Sequence, residues 1–162
     1  MDRFACRNEK KITTTNPSIN MKIDSHHHFW KYDPITYSWM NDKMDILKVD
    51  YQPVDLKKEI AEVGIDGVVS VQADQSLRET DDLLEYAKVN DFILAVVGWL
   101  PLANDNVRDL MDKYADNSLL KGIRHVVQDE PDDHFILGDQ FNRGVSLLKE
   151  YNWVYDILIY ER

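Results

Sequence analysis

Residues 22–30 read Lys22-Ile23-Asp24-Ser25-His26-His27-His28-Phe29-Trp30 and hold three of the chain's five histidines. Side chains alternate along an extended strand, so His26 and His28 share one face with Asp24, while His27 takes the other. Two imidazoles on one face stand about 7 Å apart along the strand, close enough to reach one metal ion or one polarised oxygen. A run of histidines can also be an exposed tract without function or the scar of an affinity tag. Tags are terminal, and this run is embedded between Ile23 and Phe29-Trp30. Asp24 reads first as a structural acceptor below His26.

A second candidate group lies in Gly122-Ile123-Arg124-His125. Arg124 carries five N–H donors in a planar fork, suited to a carboxylate or a developing oxyanion. Its plainer alternative is an ion pair with Asp24 or Asp156. In a regular strand His125 points away from Arg124, and only a bulge would bring both to one mouth. Gln72 reads as a mouth residue or as a satisfied buried amide. The acidic loop Asp129–Asp133 lacks the spaced oxygens and glycine of a calcium loop and reads as solvated charge. Gly98 and Gly122 form no phosphate-cradling motif.

These groups need elements to hold them. The first strand is expected over Lys22–His28. A long aromatic loop follows from Phe29 to Pro53, and loops of that length in a compact domain are usually functional. Helices are predicted at Val54–Val63, Ser76–Val89, from Asn104 or Asp105 to Tyr114, and at Asp139–Tyr151, each with an apolar stripe at spacings of three and four. Gly64 suits the left-handed position that ends the first helix. Ser76 and Glu79 suit a capping box opening the second. The intervening strands are Gly67–Ala73, Ile93–Leu100, Lys121–Val127 and Trp153–Tyr160. A β-strand followed by four αβ units implies a parallel sheet with right-handed crossovers.

Two architectures share that order. A flavodoxin-like open sheet covers both strand faces with helices, so its strands should be apolar throughout. A (β/α)₈ barrel covers one face and turns the other into a lumen that opens on the site. Here Asp24, His26 and His28, then Ser70 and Gln72, then Arg124, then Asp156 place polar groups on one face of four strands. Burying them all between two helix layers would leave many polar groups to satisfy. The expected fold class is therefore α/β, a partial TIM-type barrel of about five parallel strands and four outer helices. A complete barrel takes about 250 residues, so an interrupted barrel with open edges, prone to self-association, is expected.

Composition bounds the function. The chain is 162 residues long, 44% hydrophobic and 30% charged, which suits one globular domain. A formal net charge of −10 offers no basic patch to a phosphate backbone, so nucleic acid is not an expected partner. The single cysteine, Cys6, excludes an internal disulfide and suits the cytoplasm. No run approaches the ~18 apolar residues of a membrane span. Residues 1–20 are polar and lack the apolar core of a secretory signal; they read as a disordered leader, with the fold at 21–162.

The segments IDSHHHFW, VVSVQA, VGWLPL, KGIRHVVQDEP and VYDILI, in this order, resemble the amidohydrolase-related family, in the branch of L-fuconolactonase-like and L-rhamnonolactonase-like sugar lactonases. The resemblance covers about residues 21–162, the N-terminal part of such an enzyme. It implies a distorted (β/α)₈ barrel that opens a sugar lactone by hydrolysis, with a small-molecule lactone as partner. It implies catalytic roles for His26, His28 and Arg124, and substrate contacts for Gln72, Trp99, His125 and Trp30. Some members bind one divalent metal such as zinc or manganese and others none, so His26 and His28 are also the candidate metal ligands. The family carries a further His on its sixth strand and an Asp on its eighth, and neither is found here. The alternatives are a non-catalytic or partner-dependent half-barrel and a flavodoxin-like binding module.

Overall fold

The structure, a computed structural model, describes residues 20–160. The expected leader lies outside the described residues except for Asn20. Strands β1 (Ile23–His27), β2 (Gly67–Val71), β3 (Ile93–Gly98), β4 (Leu120–Val126) and β5 (Val154–Leu158) alternate with helices α1 (Pro53–Val63), α2 (Leu77–Val89), α3 (Val107–Tyr114) and α4 (Asp139–Leu147). The strands form one sheet in the order β1-β2-β3-β4-β5, and every neighbouring pair is parallel.

That order excludes the flavodoxin-like alternative. A doubly wound sheet must reverse its strand order at a switch point to place helices on both faces. Here the order never reverses, so right-handed crossovers put all the helices on one side. The result is a half-barrel: five strands curl around half a lumen, and the helices cover the outside. The core lies between sheet and helices. Val68, Ile93, Val96, Leu120 and Ile123 from the strands meet Leu83, Leu84, Met111 and Phe141 from the helices, all nearly inaccessible.

Local chemistry sets most boundaries. Pro53 opens α1, where its missing N–H costs nothing, and Gly64 ends it at φ 68°. Ser76 caps α2 by accepting from the Glu79 N–H at 3.2 Å. The reciprocal half of the expected capping box does not form. Glu79 instead turns to the Ala73 and Asp74 N–H groups, which leave the sheet just after β2. The helix expected to reach Tyr151 loosens after Leu147 into a tighter 3₁₀ turn, Leu148–Tyr151, and closes at left-handed Asn152. Gly144 in α4 sits against the Leu102 carbonyl, where a Cβ would overlap it.

Residues 29–52 form a flap with its own small core. Trp30, Tyr37 and Met40 are buried together, packed by Tyr32, Met44, Leu47, Tyr51 and Ala73. The Trp30 indole N–H donates to the carbonyls of Val49 at 2.8 Å and Leu47 at 3.1 Å. No helix among the described residues is long and apolar enough to cross a membrane.

Candidate active site

His26 and His28 stand at the C-terminal, open end of β1. The β1–β2 register slips between Asp24 and His27, beside the two rings. Their centroids are 5.0 Å apart, edge to face at 81°. Arg124 reaches them from β4 and is 5% exposed. Its Nη1 donates to His26 Nε2 at 3.1 Å, and its Nη2 donates to the Gln72 carbonyl. Asp156 sits opposite Arg124 in the β4–β5 register, with Oδ2 4.0 Å from Nη1. That is charge compensation rather than a hydrogen bond. Asp24 instead accepts from the His26 backbone N–H at 3.1 Å, a structural role.

The hydrogen-bond partners fix which imidazole nitrogens carry protons. A carbonyl only accepts, so His28 Nδ1, 2.8 Å from the Val71 carbonyl, carries the hydrogen. Burial drives the His28 pKa down to about 4, helped by the Arg124 charge and opposed by the bond to Val71. His28 is therefore neutral near pH 7, and its Nε2 is a bare acceptor. Guanidinium only donates, so His26 Nε2 is an acceptor too. The imidazole pair thus does not offer N–H donors to a carbonyl through these nitrogens. That task falls to Arg124, whose remaining N–H groups are the cationic donors of the site. Burial pulls its guanidinium below the ordinary value, against Asp156 and Glu79, which raise it.

His26, His28 and Arg124 line a cavity of about 690 Å³ together with Trp39 from the flap and Asp74 and Gln75 from the β2–α2 loop. The sequence reading did not single out Trp39, Asp74 or Gln75. Only the aromatic density of the flap hinted at Trp39. Four other candidates lie elsewhere. Gln72 is fully buried behind Arg124, with Nε2 3.5 Å from the Arg124 carbonyl and Oε1 unpartnered. Trp30 belongs to the flap core, its ring 6.4 Å from that of His28. His125 and Trp99 occupy the outer, helix-covered side, because β4 stays regular and alternates His125 away from Arg124.

On that outer side His125 is a tether. Its ring stacks on Phe135 at 4.9 Å. Nδ1 accepts from the Trp99 indole at 3.3 Å, which leaves Nε2 to donate to Glu130 Oε1 at 2.6 Å. Glu130 is therefore not the solvated charge expected of its loop. It holds the turn Val127–Asp129, whose Gln128 and Asp129 form part of the cavity rim.

A divalent metal is the cofactor this donor set would suggest, but the fit is incomplete. Zinc takes three or four protein ligands. No group of three His, Cys, Asp or Glu side chains comes together among the described residues. His26 Nε2 is moreover already paired to a cation. The described residues offer two imidazoles and no third ligand.

A family model described as amidohydrolase (Amidohydro_2) matches residues 23–160. The chain belongs to this amidohydrolase family. It is 36% identical over 143 residues to an L-fucono-1,5-lactonase of Burkholderia multivorans (strain ATCC 17616 / 249), a match covering 88% of this chain and 48% of that protein. An L-fucono-1,5-lactonase of Burkholderia ambifaria is 28% identical, with 89% and 50% covered. A crystal structure of a Burkholderia multivorans amidohydrolase with bound zinc superposes with a TM-score of 0.82 at 35% identity, covering 86% of this chain and 49% of that one. The chain thus spans about half the length of the relatives it matches.

Proposed function

We propose that this amidohydrolase-family chain supplies the carbonyl-polarising side of a site that hydrolyses a sugar lactone. The observation that carries the reading is the Arg124–His26 contact at 3.1 Å, beside His28 and open to the large cavity. The identity to two L-fucono-1,5-lactonases supports a 1,5-lactone of a deoxy sugar acid as the substrate class.

Opening a lactone requires water to attack the ring carbonyl while negative charge grows on its oxygen. Arg124 stabilises that charge, and its burial in a site of low polarisability strengthens the effect. Its bond to the Gln72 carbonyl and the nearby Asp156 fix the fork, so little reorganisation is needed when the charge develops. His28 Nε2 accepts a hydrogen of the attacking water and orients it. With a pKa of about 4, His28 holds water better than it deprotonates it. The product carboxylate meets the same guanidinium. Trp39 supplies an apolar wall for the sugar ring.

A second reading, capture of a sugar acid without turnover, is favoured by the weak basicity of His28. Acid release from L-fucono-1,5-lactone, followed by pH-stat with and without added zinc or manganese, separates the two. Saturable release that Arg124→Gln lowers by ~10²–10³-fold supports hydrolysis. L-Fuconate binding without release under any condition supports capture, and neither binding nor release would sink both readings.

A further inference from the structure

One residue outside the cavity's lining grips the loop that forms part of it. Glu79, in the first turn of α2, is 7% exposed. Its Oε2 accepts from the N–H groups of Ala73 at 2.9 Å and Asp74 at 2.8 Å. Its Oε1 is buried without a partner among the described residues.

The segment it grips meets three parts of the site. Ala73 is where the flap core of Trp30, Tyr37 and Met40 touches the barrel. Residues 73–75 line the cavity. Gln75 Oε1 accepts from the Val126 N–H at 2.8 Å, two positions beyond Arg124 on β4. Immediately before the segment, the Gln72 carbonyl accepts from Arg124. The neighbouring Thr80 ties the same helix start to the end of β3: its Oγ1 donates to the Trp99 carbonyl and accepts from the Trp99 N–H, both at 2.9 Å.

We propose that Glu79 is a positioning residue for this site: its carboxyl group fixes residues 73–75, and through them the seat of the flap and the pose of Arg124. A carboxylate gripping two N–H groups makes charge-assisted bonds of the stronger kind. A proton, if taken up, belongs on the unpartnered Oε1, and Oε2 then still accepts from both N–H groups, but more weakly. The charged or titratable groups around Glu79 are Lys31 and Tyr37 from the flap, Asp74 from the loop, Arg78, Asp82 and Tyr86 from α2, and Arg124 from β4. Burial raises the carboxyl pKa to about 8, although the two backbone bonds lower it. The grip is therefore expected to tighten as pH rises past neutrality.

The inference concerns the site whose lactone chemistry is proposed above, so its first test avoids that chemistry. In the full ¹⁵N-labelled chain, the Ala73 and Asp74 amide resonances are expected to move together with pH, at a midpoint near 8 set by Glu79. The Trp39 indole resonance of the flap should follow the same midpoint. Glu79→Gln keeps one oxygen for both N–H groups, and all three titrations should vanish while the fold persists. With L-fucono-1,5-lactone as substrate, Glu79→Gln should keep KM within about twofold of the parent chain. Glu79→Leu should raise KM about tenfold, with a smaller change in kcat. Amide resonances of residues 73 and 74 that stay flat with pH, or persist in titrating in Glu79→Gln, would overturn the proposal. So would Glu79→Leu with unchanged KM and Trp39 resonance. If the parent chain turns over no lactone, the amide and indole titrations decide the matter alone.

Discussion

Arg124 Nη1 lies 3.1 Å from His26 Nε2 although 98 residues separate them in sequence. The contact spans the half-barrel from β1 to β4. It makes His26 an acceptor, leaves Arg124 as the cationic donor of the cavity, and ties the two ends of the site together.

Removing the guanidinium should therefore be more damaging than removing a surface charge. Arg124→Gln is expected to lower kcat/KM for L-fucono-1,5-lactone by ~10²–10³-fold, the usual effect of deleting one donor to a developing oxyanion. Arg124→Lys should recover little, because an ammonium cannot span His26 and the Gln72 carbonyl with a planar fork. Steady-state hydrolysis rates check both, and a fully active lysine variant contradicts them.

Stability should pass through a maximum near pH 6.5. Burial lowers His27 and His28 from 6.5 to about 4, so between those values the unfolded chain binds more protons and acid destabilises the fold. Glu79 is raised from 4.5 to about 8, because the cost of burying its charge exceeds the gain from its bonds to Ala73 and Asp74, so its contribution to stability is complete below 4.5 and is lost as pH rises to 8. Two histidines outweigh one carboxyl below pH 6.5, and above it Glu79 acts alone. Urea midpoints across this range should rise and then fall, and Glu79→Gln should remove the fall. A midpoint that climbs steadily to pH 8 contradicts the assignment.

Gly144 should not tolerate a methyl group. Its α-carbon faces the carbonyl of Leu102, which is fully buried, and an added Cβ must push α4 off the loop after β3. Gly144→Ala is expected to cost about 1–3 kcal/mol, as overpacking does elsewhere. Helix propensity alone would make the same change stabilising by about 1 kcal/mol, so the sign of the urea-midpoint shift decides.

The His125–Glu130 tether gives a further test. Glu130→Ala leaves the buried His125 Nε2–H without its acceptor, at a cost of about 1–3 kcal/mol. Glu130→Gln keeps an acceptor oxygen and should cost much less. Hydrogen exchange at residues 127–130 should rise in the alanine variant, and unchanged protection there would contradict the tether.

How much of this was readable in the sequence depends on the range of the signal. The strands and helices follow from periodicity, with ends shifted by a few residues where carbonyls and caps compete. The polar face through His26, Gln72 and Arg124 pointed to a lumen, and the unbroken strand order agrees with that reading. The pairing of Arg124 with His26 was not readable, because nothing local links β1 to β4; the sequence offered Asp24 and Asp156 as Arg124's partners, and only Asp156 is near. His125 was drawn into the site by sitting next to Arg124, yet strand alternation puts it outside. Glu79 looked like half of a capping box, because the N–H groups it satisfies are freed only once β2 ends. Ala73 joining the flap to the barrel is a tertiary contact with no local pattern.

The central claim is that His26 and Arg124 act on the cavity's ligand as one unit. A double-mutant cycle on lactone hydrolysis, or on L-fuconate binding where no turnover occurs, tests it directly with His26→Gln, Arg124→Gln and the pair. Coupled residues in contact typically show about 0.5–3 kcal/mol of interaction energy. The double variant is expected to be scarcely worse than Arg124→Gln alone. Free energies that simply add would contradict the claim.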